Sequence, residues 1–447
     1  MPDLTPPRVT RAPAAVVRRE LLRAVTGVVA APFHVLGFVV SRSRLRRELA
    51  ADLSRPASIS SPPPFQSTGR QPRIFLSCAE PSGELHAVNF LQELRTLTPG
   101  AAVAGLGSSR LATERMTILE DPVQRATMGF RGVASALPYY VALLELCAEH
   151  FRTETPDVAV LIDSPALHVP LGRIARQYGV PVLHFVTPQH WAWAPWRARS
   201  YARAVTRALT ILPFEPAWFE RRGVPVAHVG HPLLDELARV PATRGADSSA
   251  TIAVLPGSRA SVIDLNLPWM LSVLAALRQQ VPALDVSILQ AGDRHRARID
   301  AHVAEAGAGS WTRVETGDLH GSLSRARTAF SVSGTVLLDV LHHRLPTVCI
   351  YRVGTWRGVF MYRHALLTPW FASVNLLAGR EVAPEFCFQG RGPFDAVVEA
   401  LQRIHVDPNA RREAIKGLEL AAERLGPPGA CHRAALHALE LAGARRL

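Results

Sequence analysis

Small and polar residues follow several apolar runs of this sequence, and their types are those that hold phosphates and move protons. The string LPGSR (255–259) places Gly257, Ser258 and Arg259 directly after an apolar, β-branched run. Backbone N–H groups at a helix N-terminus, together with a guanidinium, can bind two phosphate oxygens. A plain Pro-Gly turn is the alternative, and the string alone leaves both interpretations open.

The string SGTVLLD (333–339) repeats this organisation further along the chain. Ser333, Gly334 and Thr335 could donate hydrogen bonds to an anion at another helix start. Asp339 would lie one turn further on, where a carboxylate can accept hydrogen bonds from two ribose hydroxyls. Two anion-binding turns and a ribose acceptor in one stretch favour a nucleoside diphosphate as the ligand.

These strings must be positioned by strands, because each follows a short apolar run. Ten such runs, with helical stretches between several of them, indicate parallel, doubly wound α/β sheets. They are RIFLSC (73–78), AAVAGLG (101–107), DVAVLID (157–163), VPVLHFV (180–186), RALTILP (207–213), VPVAHVG (224–230), TIAVLP (251–256), LDVSILQA (284–291), TAFSVS (328–333) and PTVCIY (346–351).

The runs form two sets, which predicts two Rossmann-like domains joined by a loop near 236–250. The expected organisation is a basic arm with a Pro/Ser linker (1–72), an N-terminal domain (73–240), a C-terminal domain (250–425) and a C-terminal helix that could pack back on the N-terminal domain (426–447). Ligands of such sheets bind at the carboxyl ends of the strands, so the cleft between two facing domains is the expected site. No strand is followed by GxGxxG, which argues against a nicotinamide or flavin cofactor.

The composition is that of a soluble globular protein, with 447 residues of which 48% are hydrophobic and 19% charged. A net charge of +13 would favour a polyanion or an acidic membrane surface, yet Lys416 is the only lysine. Nine arginines lie in the first 50 residues, so the basic excess is mostly N-terminal. The five cysteines contain no CxxC pair, which argues against a disulfide framework and a structural zinc site and favours a reducing cytoplasm.

The stretch 24–40 (AVTGVVAAPFHVLGFVV) is almost wholly apolar and is flanked by arginines on both sides. It is shorter than the roughly 20 residues that span a bilayer, and Gly27, Pro32 and Gly37 weaken it as a helix. An interfacial or re-entrant segment facing anionic headgroups is favoured. A transmembrane helix and a helix packed on the protein's own surface are the alternatives.

Together, the strings resemble the lipid A disaccharide synthase family. These GT-B glycosyltransferases join UDP-2,3-diacylglucosamine to 2,3-diacylglucosamine 1-phosphate and release UDP. The resemblance spans about residues 73–425, and the first 70 residues lie outside it. It rests, in chain order, on AEPSGE (79–84), MGF (128–130), DVAVLIDSP (157–165), PQHWAW (188–193), LPFEPAWFERRGVPVAHVGHPLLDE (212–236), LPGSR, SGTVLLD and VNLLAGREVAPE (374–385).

The resemblance implies a UDP-sugar site built from the C-terminal strings. Arg259 would hold the phosphates, and Asp339 occupies the family's acidic helix position. The other substrate-binding residues implied are Gly257, Ser258, Ser333, Gly334, Thr335, Asn375 and Arg380, with Glu80, Ser82 and Gly83 of AEPSGE. It also implies a metal-independent, inverting transfer. No cofactor and no nucleic-acid partner are expected, and the cysteines and the basic arm favour a cytoplasmic protein that is peripherally associated with the inner membrane. Assembly into a homodimer is left open.

Asp163 of the IDSP string corresponds to the general base that deprotonates the acceptor's 6-hydroxyl for attack on the anomeric carbon. Capping of the following helix is the alternative for this carboxylate. His190 could contact an acceptor phosphate or assist proton transfer, or be an ordinary loop residue. His231 could likewise be a base or a packing residue.

The chain departs from the family where the acceptor is expected to bind. The usual I-D-x-P-D run has Ala166 at the position of its second acid, and Ala79 and Glu84 replace Gly and Asp of the usual GExSGD. Gln189 and His190 stand where small or apolar residues are more common. These departures leave three alternatives open: another acceptor or UDP-sugar, an enzyme like UDP-GlcNAc 2-epimerase, or a non-catalytic lipid-binding relative.

Overall fold

The computed structural model describes residues 12–62, 64, 71–124, 133–241, 250–290, 292–355, 358 and 365–444. The chain divides into two units, of which unit 1 is Met1–Asp235 with Pro427–Leu447 and unit 2 is Glu236–Gly426. Each unit contains one all-parallel sheet, so the predicted α/β class with two parallel-sheet domains is confirmed. The MGF string and most of the loop at 240–250 lie outside the described residues.

The sheet of unit 1 has seven strands in the order β3-β2-β1-β4-β5-β6-β7. Its central strands are buried on both faces, as expected for a sheet covered by helices. The strands are β1 (Arg73–Cys78), β2 (Ala102–Leu106), β3 (Thr117–Glu120), β4 (Val158–Ile162), β5 (Val182–Phe185), β6 (Arg207–Thr210) and β7 (Val226–His228).

The sheet of unit 2 has six strands in the order β10-β9-β8-β11-β12-β13. Its core contains the apolar side chains of the central strands and of the helices that pack on them. The strands are β8 (Thr251–Leu255), β9 (Asp285–Gln290), β10 (Thr312–Thr316), β11 (Thr328–Val332), β12 (Thr347–Arg352) and β13 (Glu385–Phe388).

Helices connect the strands and cover both sheets. In chain order they are α1 (Pro13–Ser54), α2 (Pro81–Leu97), α3 (Ser109–Thr113), α4 (Val133–Thr153), α5 (Pro165–Gln177), α6 (His190–Trp193), α7 (Ala198–Ala202), α8 (Glu215–Glu220), α9 (Leu233–Leu237), α10 (Ala260–Gln280), α11 (Arg296–Glu305), α12 (Leu319–Arg325), α13 (Val336–His342), α14 (Ser373–Ala378), α15 (Phe394–Val406), α16 (Pro408–Leu425) and α17 (Ala430–Ala444).

The C-terminal helix α17 belongs to unit 1, where it packs on α2 and contributes alanines to the core. The carboxylate of Asp235, from the GHPLLDE string, accepts hydrogen bonds from the backbone N–H groups of Gly429, Ala430 and Cys431. These are donors that a helix N-terminus leaves without a partner. Asp235 therefore caps α17, and this acidic residue has a structural role.

Helix α1 continues through Gly27, Pro32 and Gly37, although these residues lower helix propensity. Both of its ends are docked on unit 1. Near the start, Glu20 accepts a hydrogen bond from Arg173 Nε at 2.6 Å, and near the end Asp52 accepts one from Arg221 Nη1 at 2.8 Å. These contacts stabilise the helix on either side of the breakers, where tertiary packing outweighs propensity.

The middle of α1 is exposed, although it is apolar. Nine of the fourteen exposed large apolar side chains in the described ranges lie between Leu22 and Val40. By length and composition, α1 and α10 are both apolar enough to cross a membrane, among the helices the structure describes. Half of the apolar window of α10 is buried in the core of unit 2, whereas 6% of the window in α1 is buried.

Candidate functional site

The LPGSR and SGTVLLD strings meet at the switch point of the sheet of unit 2. Strands β8 and β11 are parallel neighbours, and the chain leaves them in opposite directions across the sheet. Leu255, the last residue of β8, pairs with Ser331 near the end of β11. The two turns therefore leave the same edge of the sheet side by side, at the place where doubly wound sheets bind ligands.

The LPGSR turn requires its glycine and presents its arginine to solvent. Gly257 has φ of 111°, and a Cβ atom there would lie 2.5 Å from the Val262 side chain. Arg259 is the N-cap residue of α10, and Ser258 and Arg259 are both exposed. The Arg259 guanidinium makes no hydrogen bond or ion pair with other described residues, so its fork is available to a ligand.

The SGTVLLD turn combines two exposed residues with a half-buried acid. Gly334 and Thr335 are exposed, and Ser333 donates a hydrogen bond from Oγ to the Phe371 carbonyl at 3.2 Å. Burial raises the pKa of Asp339 to about 6, and its Oδ1 lies 3.8 Å from His320 Nε2. Asp339 can thus exchange a proton or accept hydrogen bonds near neutral pH, and its ribose contact stays a prediction.

Asn375 of the VNLLAGREVAPE string is fully buried, and its hydrogen bonds are all made within the protein. Its Oδ1 accepts from the backbone N–H groups of Val382 and Ala383 at 2.7 and 2.9 Å. Its Nδ2 donates to the Ala383 carbonyl at 2.8 Å and to Glu385 Oε2 at 3.1 Å. The amide therefore joins α14 to the segment that leads into β13.

Glu385 extends this connection towards the SGTVLLD turn. Its carboxylate accepts from the backbone N–H groups of Phe371 and Ala372 at 3.1 and 2.9 Å, and burial raises its pKa to about 7. The Phe371 carbonyl in turn accepts the hydrogen bond from Ser333. Asn375 and Glu385 thus hold the backbone beside Ser333, which is a positioning arrangement.

We expect Asn375→Ala to lower the free energy of unfolding by about 1–3 kcal/mol, because one buried and one part-buried backbone N–H group lose their acceptor. Thermal and urea unfolding of the purified variant measure this loss. Ser258→Ala, an exposed change in the same unit, is the matched control and should leave stability within about 0.5 kcal/mol. An Asn375→Ala protein with unchanged stability and much weaker UDP binding would instead assign Asn375 to direct ligand contact.

The residues around the Arg380 side chain are not those of the LPGSR and SGTVLLD turns. It is exposed and lines a groove of about 660 Å³ between α15 and α16, together with Glu399, Arg403 and Glu413. The structure does not bring its guanidinium together with the LPGSR or SGTVLLD residues. A contact between Arg380 and the sugar nucleotide stays a prediction.

The AEPSGE and IDSP strings meet at the switch point of the sheet of unit 1. Strands β1 and β4 are parallel neighbours, and Cys78 pairs with Ile162 at their carboxyl ends. Glu80 is exposed at the N-cap of α2, and residue 82 follows in the first turn of that helix. A Cβ atom on Gly83 would lie 3.6 Å from Asp163 Cβ, so the two strings are in contact.

Asp163 stands at the end of β4 in an unusual backbone conformation. Its φ is 57° and that of Ser164 is 43°, both in the left-handed region that disfavours residues with a Cβ. Helix α5 begins at Pro165 with Ser164 as its N-cap, so Asp163 does not occupy the capping position. Its side chain is half-buried, and Ala166, which replaces the second acid of the family, is exposed.

Two buried histidines bind the backbone of Asp163. His168 Nδ1 and His184 Nε2 lie 2.6 and 2.9 Å from the Asp163 carbonyl oxygen. The other ring nitrogens contact hydroxyl groups, with Ser77 Oγ 2.8 Å from His168 Nε2 and Tyr201 Oη 2.7 Å from His184 Nδ1. This buried polar network, contributed by β1, β5, α5 and α7, converges on the carbonyl group of Asp163.

The PQHWAW string forms α6 and is largely buried. His190 is 6% exposed, its ring packs against that of Tyr201, and burial lowers its pKa to about 3. Trp191 Nε1 donates to Glu215 Oε1 at 3.0 Å, which connects the string to LPFE. Trp193 is 45% exposed. His190 is thus a neutral side chain at pH 7, and a catalytic role for it stays a prediction.

His231 is half-buried and neutral. Its Nδ1 accepts from the backbone N–H of Leu233 at 3.2 Å, and burial lowers its pKa to about 3. Its ring packs against that of His86 with centroids 6.5 Å apart. These contacts favour the packing role for His231. In the part of the chain that the structure describes, no group of three His, Cys, Asp or Glu side chains is arranged to hold a metal ion.

Comparison with known proteins identifies the family. The family model described as Lipid-A-disaccharide synthetase matches residues 74–423. A relative from Myxococcus xanthus, named Lipid-A-disaccharide synthase, is 32% identical over 381 residues, which cover 83% of this chain and 97% of the relative. The chain belongs to the lipid-A-disaccharide synthase family. Its predicted class, a glycosyltransferase, is therefore confirmed, and the arm before residue 74 lies outside the family match.

Solved structures show that this family member has the fold of GT-B proteins. The S. aureus MnaA–UDP co-structure superposes with a TM-score of 0.54 at 10% identity, over 81% of this chain and 94% of that one. The glycotransferase of kitacinnamycin superposes with a TM-score of 0.51 at 14% identity, over 84% and 99%. At these identities the likeness supports the predicted GT-B fold and no particular substrate.

The sequence patterns missed the groups that support the strand-end residues. In this lipid-A-disaccharide synthase family member they are His168, His184, Tyr201, Glu215 and Glu385. Of these, His184 stands out in the sequence, because it is a histidine within the apolar run VPVLHFV, which predicts a buried strand. The others form their contacts only after folding.

Proposed function

We propose that the protein transfers 2,3-diacylglucosamine from its UDP derivative to the 6-hydroxyl of 2,3-diacylglucosamine 1-phosphate, which yields a β-1,6-linked disaccharide and UDP. Unit 2 is assigned the UDP-sugar and unit 1 the activation of the acceptor. The observation that carries the proposal is the placement of the LPGSR and IDSP turns, each at the switch point of its own sheet.

In this proposal Arg259 binds the diphosphate with two parallel hydrogen bonds and stabilises the charge that develops on the leaving UDP. Asp163 takes the proton of the acceptor hydroxyl as its oxygen forms a bond to the anomeric carbon. The bond from that carbon to the phosphate oxygen breaks, and UDP leaves with its electron pair. His190 is buried, and burial lowers its pKa to about 3, which makes its imidazole a weak base, so we assign the proton to Asp163 alone.

The transfer reaction is tested by UDP release from the purified protein. UDP should appear only when both the UDP-sugar and the diacylglucosamine 1-phosphate acceptor are present, in proportion to the disaccharide formed. The same donor with non-phosphorylated 2,3-diacylglucosamine as acceptor is the control for acceptor choice, because Ala166 and His190 depart from the family where the acceptor is expected. UDP release that is independent of any acceptor would contradict the proposed transfer.

We further propose that α1 holds the protein on the cytoplasmic face of an anionic membrane. Its mostly exposed apolar stretch 24–40 has Arg18, Arg19 and Arg23 at one end and arginines of SRSRLRREL at the other, which matches an interface lined with negative headgroups. The five cysteines are all free, which agrees with a reducing compartment.

The contacts of α1 favour a helix that lies in the interface over one that spans the bilayer. The apolar stretch 24–40 is about 17 residues and roughly 26 Å long, a little shorter than the roughly 30 Å hydrocarbon core. Both of its ends are bound to the same unit, through Glu20 with Arg173 and Asp52 with Arg221. A spanning helix would have to break one of these part-buried ion pairs.

Replacing Val29 and Phe33 together by aspartate is expected to lower co-sedimentation with anionic phospholipid vesicles at least tenfold. Both side chains are exposed, and each buries apolar surface worth about 1.5–3 kcal/mol when it enters lipid. Val406→Asp, an exposed valine in unit 2, is the matched control. Unchanged vesicle binding by the double variant would overturn the proposal. If the wild-type protein is a dimer without lipid and the double variant is a monomer that still binds vesicles equally well, the exposed face of α1 is a dimer interface instead.

A further inference from the structure

We propose that His168 and His184 are positioning residues that fix the direction in which the Asp163 side chain leaves the backbone, by donating hydrogen bonds to the carbonyl oxygen of the same residue. The inference rests on the proposed role of Asp163 as the general base. Asp163 and Ser164 are two successive non-glycine residues with positive φ. Such a conformation persists only where the surrounding structure holds it, and it is found mainly at functional sites.

The two peptide planes on either side of the Asp163 Cα are both fixed. The Asp163 N–H donates to the Phe185 carbonyl at 2.9 Å, which fixes the preceding plane. The Asp163 carbonyl accepts from His168 Nδ1 at 2.6 Å and from His184 Nε2 at 2.9 Å, which fixes the following plane from two sides. With φ and ψ determined in this way, the Cα–Cβ bond of the proposed base has one direction.

The second hydrogen bond of each ring determines which nitrogen carries the proton. A carbonyl oxygen only accepts, so His168 Nδ1 and His184 Nε2 must both be donors. Ser77 Oγ then donates to His168 Nε2, and Tyr201 Oη donates to His184 Nδ1. Both rings are 1% exposed, and burial lowers the pKa of His168 to about 3 and that of His184 to about 4, which keeps them neutral.

Packing alone does not account for an imidazole at these positions. His184 lies within the buried strand β5, where it pairs with Leu161 of β4. Central strands of parallel sheets are ordinarily occupied by Val, Ile and Leu. A buried polar side chain is costly unless all its hydrogen bonds are made, so a pair of satisfied imidazoles around one carbonyl indicates a requirement for geometry.

Matched substitutions separate the hydrogen bond from the packing. His184→Gln keeps an N–H donor at the reach of Nε2, and His168→Asn keeps one at the reach of Nδ1. His184→Met and His168→Leu fill similar volumes without a donor. We expect the Met and Leu variants to lose about 10- to 100-fold in kcat with an unchanged KM for the UDP-sugar, because a base displaced by about 1 Å loses that much. The Gln and Asn variants should keep most of the turnover.

A double-mutant cycle with Asp163→Asn tests whether the histidines act through the carboxylate. In the Asp163→Asn background, His184→Met should cause no further loss of kcat, since there is no carboxylate left to position. If His184 had only a general structural role, the fold-losses in kcat of the two single variants would instead multiply in the double variant. If His184→Met does not fold, Tyr201→Phe enters the same cycle, because it removes only the hydroxyl that donates to His184.

Three results would overturn the inference: wild-type kcat in His184→Met, equal losses in the Gln and Met variants, or multiplicative losses in the cycle. Failure of the proposed role of Asp163 as the base is a separate result, because the single variant Asp163→Asn would then keep wild-type turnover. The fraction of protein that binds UDP, measured for every variant, normalises kcat to folded sites.

Discussion

Replacement of Asp163 by asparagine is expected to lower kcat by about 100- to 10,000-fold, the usual contribution of a general base. Asparagine has nearly the same shape, and the backbone of residue 163 keeps its hydrogen bonds to Phe185, His168 and His184. With Ala166 at the position of the family's second acid, this turn offers no other carboxylate to take the proton. The loss should therefore appear in turnover, with UDP binding unchanged.

Steady-state kinetics of Asp163→Asn beside His190→Ala and Asp395→Asn measures this effect. Asp395 is an exposed carboxylate in unit 2, so its amide variant controls for the loss of one negative charge. Near wild-type turnover in Asp163→Asn, together with a large defect in His190→Ala, would move the base to His190. That outcome would also require the buried, neutral imidazole of His190 to become accessible when substrates bind.

Replacement of Arg259 by alanine is expected to raise the dissociation constant of UDP by about 10- to 150-fold. Loss of a charge-assisted hydrogen bond to phosphate costs about 1.5–3 kcal/mol, and each 1.4 kcal/mol corresponds to a factor of ten. The side chain is exposed at the N-cap of α10, and its guanidinium makes no hydrogen bond or ion pair with the described residues, so the fold should be unaffected.

Titration calorimetry with UDP measures this loss directly, with Arg259→Lys and Arg412→Ala alongside. Lysine keeps the charge without the planar fork, so Arg259→Lys should fall between wild type and alanine. Arg412 is an exposed arginine on α16 and controls for the change in net charge. Equal UDP affinity in Arg259→Ala and wild type would refute the phosphate role of the LPGSR turn.

The fold was predictable from the sequence to the extent that its strands are buried. Each of the ten apolar runs contains a strand; nine of these strands lie inside a parallel sheet, where both faces are apolar, and the tenth, β7, is an edge strand that is largely buried. The three strands that were not predicted, β3, β10 and β13, are all at sheet edges and are half-exposed. An edge strand needs no continuous apolar run, so TILE, TRVET and EFCF leave no such signal.

Some residues of the candidate site could be placed from the sequence, and others could not. Turns that follow buried strands, such as those of Arg259 and Asp163, can be placed from sequence, because the carboxyl ends of parallel strands lie at the same edge of their own sheet. The role of Asn375 could not, since its partners lie seven to ten residues further on and depend on the path of the chain into β13. The support of Asp163 by His168 and His184 likewise exists only once α5 packs against the sheet.

The most direct test of the account is analysis of the product made by the purified full-length protein from UDP-2,3-diacylglucosamine and 2,3-diacylglucosamine 1-phosphate. Mass spectrometry and NMR should find a disaccharide phosphate with a β-1,6 linkage and one UDP released for each disaccharide formed. A UDP-sugar epimerised at C2, or both substrates recovered unchanged by a folded protein that binds UDP, would contradict it.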